Sequence, residues 1–137
     1  MTHRTGFKFL RASSHSTVGL AASFNGDRVQ AKRHLAESLL YVQQEISLRE
    51  ALPALLFAAF FLALQGDAIA ASRAYVELRH QCYIVDSEFC QQIAGRHLEA
   101  LLDRLTPEQL AAVHAAPAPS DLRVLAAEMH ARLEAMG

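Results

Sequence analysis

Residues 25–37 read NGDRVQAKRHLAE and residues 65–77 read QGDAIAASRAYVE, and the match between these two stretches decides the fold. At a forty-residue offset, five of the thirteen positions are identical: Gly26/Gly66, Asp27/Asp67, Ala31/Ala71, Arg33/Arg73 and Glu37/Glu77. Val29 meets Ile69, and Leu35 meets Tyr75, so the apolar character carries over as well. Each residue type has a physical job in a tight helix–turn–helix. Glycine takes the left-handed position that ends one helix, and aspartate accepts backbone N–H bonds to start the next. A small residue such as Ala31 or Ala71 lets two helices approach closely. A period near 40 is typical of helical repeat arrays.

Outward from these turns, periodicity and cap signals divide the chain into six or seven helices. A first helix is predicted over Ser14 to Phe24, after an N-terminal tail over 1–13. A second runs from Arg28 to about Glu45, with Val29, Leu35, Leu39 and Val42 read as its apolar stripe. Ser47 and Glu50 have capping-box spacing for a third helix, in which Pro53 suits the first turn if the start is later. Leu55, Leu56, Phe57, Phe60, Phe61, Leu62 and Leu64 surround that helix, so every face of it needs cover.

Asp67 caps a fourth helix running to about Gln81. Asp86 or Ser87 starts a fifth, which reaches Leu105 with Phe89, Ile93, Leu98, Leu101, Leu102 and Leu105 on its apolar side. Thr106, Pro107 and Gln109 form a start signal for a short sixth helix. Pro117-Ala118-Pro119 is a stiff connector, and Ser120 caps a last helix carrying Leu122, Leu125, Met129 and Leu133. No run alternates with period two for long enough to form a strand. The expected fold is all-α, built from antiparallel helix pairs, with the repeat domain over 14–116 and a closing helix over 120–137.

Composition agrees. The chain has 137 residues, 52% hydrophobic, 20% charged, with a net charge of −1. That length is one domain or a part of one, and it buries about two-thirds of its unfolded surface without needing disulfides or metal. High apolar content with low net charge excludes disorder. Residues 1–50 carry +3 (seven Lys/Arg against four Asp/Glu), and residues 51–137 carry −4 (six against ten). A charge of +3 is too weak for a nucleic-acid face. The longest uncharged apolar segment, Ala51 to Leu64, has fourteen residues and falls short of the roughly 20 that a membrane span needs. Arg4, Lys8 and Arg11 mimic a basic leader, but Ser13, Ser14, His15 and Ser16 interrupt the apolar stretch that should follow. Two cysteines without an export signal point to reduced thiols and a cytoplasmic location.

The repeated residues resemble the tetratricopeptide (TPR) family. Gly19 and Ala59 occupy the small-residue place seven positions before the turn glycine, Ala31 and Ala71 the alanine four after the turn aspartate, and Leu35 and Tyr75 the large residue beyond. The early aromatic (here His15 and Leu55) and the closing proline (here Gln43 and Tyr83) are missing, so the repeats are degenerate. The segment from Leu101 to Met129 is similar to the end of the degenerate TPR array in bacterial LuxR- and AfsR-type regulatory ATPases. This chain has no GxxxxGK[ST] nucleotide loop and no DNA-reading helix–turn–helix. The resemblance implies an α–α superhelix acting as a regulatory or protein-interaction module.

In TPR arrays the first helix of each pair lines the concave groove. Carried over, that places Ser16, Leu20 and Phe24 from the first pair and Leu56, Phe60 and Ala63 from the second along a partner-binding groove. The occupant would be a peptide, a helix or a second copy of the chain, while the chain's own last helix is an alternative filling. Arrays generally need at least three units, and two pairs plus a closing section favour a partner copy, a packed C-terminal helix or further repeats.

The alternative chemistry is a small-ligand or metal-binding sensor centred on His80, Cys82, Cys90 and His97. Neither half of that set has the tight spacing zinc sites use, and small buried cysteines at a helix junction, with His97 at the edge of the apolar stripe, account for it better. His3, His15, His34, His114 and His130 are dispersed, and no Ser–His–Asp set is legible. The expectation is a non-enzymatic protein with no cofactor, no nucleic-acid partner and no membrane partner.

Overall fold

Asn25-Gly26-Asp27 and Gln65-Gly66-Asp67 form the same turn, with the same Schellman and cap bonds, in a computed structural model that describes residues 3–44, 48–80 and 91–136. Gly26 and Gly66 take φ of 76° and 89°, in the left-handed region where a side chain is strained. The Asp27 N–H donates to the Ala22 carbonyl at 2.9 Å, and the Asp67 N–H to the Leu62 carbonyl at 2.9 Å. The Gly26 N–H donates to Ser23 and the Gly66 N–H to Ala63, completing the paired bonds of a Schellman turn in each case. Asp27 Oδ1 then accepts from the Gln30 N–H, and Asp67 Oδ1 from the Ala70 N–H, so each carboxylate caps the helix it precedes.

Seven α-helices are present among the described residues: α1 (His3–Phe24), α2 (Arg28–Val42), α3 (Leu48–Leu64), α4 (Ala68–His80), α5 (Arg96–Asp103), α6 (Pro107–Ala115) and α7 (Leu122–Glu134). No strand occurs among those residues, and the fold is all-α. No helix of the described chain is long and apolar enough to cross a membrane.

Several boundaries differ from the sequence expectation. α1 starts at His3 rather than Ser14, in place of the tail expected over 1–13. Nothing between those residues except Gly6 opposes a helix, so the serine cluster lies inside the helix instead of capping it. Pro53 is the sixth residue of α3, deeper than the first turn, where it removes one backbone donor from the ladder. α5 is preceded by a π turn over Gln91–Gly95, and Arg104 ends it. Asp121, not Ser120, caps α7 and accepts from the Arg123 N–H at 2.9 Å. The Thr106–Gln109 capping box forms as expected, with reciprocal bonds of 3.1 and 3.0 Å.

α3 is the hub and packs against α1, α2, α4, α5 and α7. From Ala51 to Leu62 every side chain except Pro53 is buried, which is the all-round cover its composition demands. Burial of each large apolar side chain contributes about 1.5–3 kcal/mol. Each pair closes on a small residue. A Cβ at Gly19 would stand 2.6 Å from Leu35 Cγ, so α1 and α2 meet at a spacing only glycine permits. Ala59 and Tyr75, the corresponding residues of the second pair, are both buried. Leu122, Leu125, Met129 and Leu133 bury one stripe of α7 against α2 and α3.

Candidate functional site

α2 has two unlike sides. Ala31, Leu35, Ser38, Leu39 and Val42 are buried toward α1 and α3. Val29, expected in that stripe, lies instead on the opposite side and is 74% exposed, with Leu40 at 39%. Six residues separate Val29 from Leu35, which places the two about 120° apart around the helix. Between this outer side of α2 and the last turns of α7 lies a cleft of about 420 Å³. Val29, Ala36 and Leu40 form its apolar floor. Arg28, Lys32 and Arg33 from α2 and His130 and Glu134 from α7 surround it, with Glu37 at one edge. His130 and Glu134 approach to 3.7 Å one turn apart.

Two of the cations of this cleft are held by hydrogen bonds, one within α2 and one across to the end of the chain. Arg33 donates to Gln30 Oε1 at 2.8 Å, and Arg28 donates to the Met136 carbonyl at 3.2 Å. A second cleft of about 490 Å³ lies between α4 and α7. Its charges pair across the gap: Arg132 donates to both carboxylate oxygens of Asp67, and Arg73 stands 4.0 Å from Glu128. The bond to Asp67 raises the pKa of the Arg132 guanidinium above its ordinary value. Cations outnumber carboxylates in the first cleft, whereas the second is internally neutralised.

The expected groove residues have separate fates. Ser16, Leu20, Leu56 and Phe60 are buried, Ala63 is half-buried, and Phe24 is 56% exposed. Phe24 packs at a tilt of 42° against Phe60 with centroids 5.3 Å apart, and Phe60 in turn contacts His97 at 5.3 Å. Four of the six therefore lie in the protein's own interior, because the first helices of the two pairs, α1 and α3, pack against each other. Of the alternative metal set, His80 and His97 are exposed, while Cys82 and Cys90 fall outside the described residues. Among the described residues no group of three or more His, Cys, Asp or Glu side chains is placed to hold a metal ion.

Two groupings were not legible in the sequence. His15 and His34 stack at 5.1 Å with their Nδ1 atoms 2.9 Å apart, and Tyr41 stacks on His15 at 6.1 Å. Burial, the Arg33 guanidinium and His15 together hold the His34 imidazole below its ordinary pKa, against an opposing pull from Glu37. The Tyr75 hydroxyl donates to Glu99 Oε2 at 2.6 Å, and Arg79 donates to Glu99 Oε1 at 2.7 Å, tying α4 to α5. Burial and the Glu99 carboxylate push the Tyr75 phenol well above its usual range, so it remains a neutral donor. No protein-family model, curated protein or solved structure matches this chain.

Proposed function

We propose that the chain is a non-enzymatic interaction module, a degenerate TPR-like helical repeat of the kind that ends bacterial LuxR- and AfsR-type arrays. Its docking surface is the α2–α7 cleft, in place of the groove expected through Leu20, Leu56 and Phe60. The observation that carries this reading is the exposure of Val29 and Leu40 over an open cleft bordered by three permanent cations. The shared turn and the small residues at Gly19, Ala31, Ala59 and Ala71 support the repeat reading. The partner is a protein or peptide met in the cytoplasm, and a second copy of the chain is one form it could take.

A photo-crosslinking residue at Val29 tests the reading. It should yield one defined protein adduct in cells, absent when the same residue replaces the exposed Val124 and lost on adding Leu40→Glu. Identical adducts from both positions, or none, would contradict it. The cleft volume of about 420 Å³ also favours a second reading, a small-ligand sensor, since such sites span about 300–1,000 Å³. Crosslinks from Val29 competed by low-molecular-weight extract would favour that version.

A further inference from the structure

The connector between α6 and α7 shows what kind of chain the repeated helix face accepts. On α4, the Arg73 guanidinium donates to the carbonyl oxygens of Ala116 and Pro117, the latter at 3.2 Å. Arg73, Val76 and Glu77 lie along the narrow gap beside Val113, Pro117 and Ala118. Val113 at the end of α6 and Ala118 in the connector are buried there, so the helix end and the proline-bearing connector together cover this face. Forty residues earlier, the same positions are Arg33, Ala36 and Glu37. Those three line the open cleft on α2. The gap remaining beside the connector, along Arg73, Val76 and Glu77, is about 70 Å³, against about 420 Å³ along their counterparts on α2; the α4–α7 cleft of about 490 Å³ opens on another side of α4, past Asp67, Ala70 and Ala74.

The chemistry of the covered face explains why proline suits it. An arginine fork donates to two successive carbonyls, and each proline in the segment removes one backbone N–H that would otherwise need a partner against the apolar floor. Proline also fixes φ, so an extended segment loses little conformational freedom on docking. The α2 cleft adds Arg28 and Lys32, and its cations exceed Glu37 and Glu134 by one or two charges according to the state of His130. An acidic flank on the ligand complements that excess. A second copy is disfavoured as occupant, because its own connector is already seated on its own α4.

We propose that the α2–α7 cleft binds a proline-containing, acidic-flanked extended segment of a partner protein, with Arg33 donating to two successive carbonyls as Arg73 does internally. This rests on the reading of the chain as an interaction module and specifies the partner's chemistry.

The probe is a fluorescein-labelled peptide of residues 111–121, AAVHAAPAPSD, titrated with the full chain and followed by anisotropy. Saturable binding is expected with Kd in the range of about 10–500 μM. Arg33→Gln should weaken it at least about fivefold, as should alanine at both prolines, while Arg104→Gln leaves it unchanged. Arg33 and Val29 are exposed, so their variants should keep the native helix content, which circular dichroism checks. Equal affinity for the Arg33→Gln variant or for the proline-free peptide overturns the proposal. No peptide binding, with adducts still formed from Val29, overturns this partner chemistry and leaves the interaction reading standing. No peptide binding and no adducts overturn both. A concentration-dependent dimer abolished by Val29→Glu assigns the cleft to a second copy and overturns it as well.

Discussion

Between Phe24 and Ala31 the chain makes the same turn bonds as between Leu64 and Ala71, yet the helices that follow meet different surroundings. In the second pair, Arg73 holds the connector carbonyls, and the carboxylate of Asp67 is held by Arg132 from α7. In the first pair, Arg33 bonds within its own helix to Gln30, and Val29 stands in solvent. A repeat therefore encodes a local turn and a face, while the rest of the chain decides whether that face becomes core or stays open. The connector covers the α4 copy of the face, while the α2 copy stands open with Val29 in solvent.

The largest test of this comparison addresses what the two pairs share. Tyr75→Ala should cost about 3–5 kcal/mol and Leu35→Ala about 2–5 kcal/mol by chemical denaturation, since both side chains are fully buried at equivalent positions. A Leu35→Ala cost below about 1 kcal/mol would break the equivalence. Gly19→Ala comes next, at about 1–3 kcal/mol, because the added methyl meets Leu35, which has no space to yield. Asp67→Ala should exceed Asp27→Ala, each losing a cap worth about 1 kcal/mol, with about 0.2–1 kcal/mol more from the Arg132 tie. A double-mutant cycle sharpens this, since the excess should vanish in an Arg132→Gln background.

The smallest effect is on pH dependence. The folded pKa of His34 lies below its ordinary 6.5, so the unfolded chain takes up the proton first. Its contribution to stability is complete above pH 6.5 and is lost as pH falls from there through the lowered folded value. His34→Gln should flatten that part of the stability profile, as measured by denaturation at a series of pH values.

The parts of the fold that depend on short-range chemistry were legible in the sequence. Gly26 and Gly66 needed the left-handed region, Thr106 and Gln109 needed each other, and the apolar girdle of α3 needed cover on all sides. The parts that depend on distant neighbours were not. Arg73 finds its carbonyl partners 43 and 44 residues away, and His15 finds His34 across the first turn. The serines from Ser13 to Ser16 carry the same local signal inside a helix as at its start, so the beginning of α1 was misplaced. Val29 is the instructive case. Its angular offset from Leu35 is present in the spacing, but its apolar character alone assigns it to the buried stripe. The cleft was hidden behind that one assignment.

The central claim is that the α2 face is the open counterpart of the covered α4 face. Backbone amide NMR of the full chain during titration with the 111–121 peptide tests it most directly. The account predicts shifts concentrated at Val29, Arg33, Ala36, Leu40 and His130, with α1 and the outer face of α4 unmoved. Shifts centred on Arg73 and Val76, with those α2 residues still, would show that the peptide displaces the connector and that the α2 face has no such role.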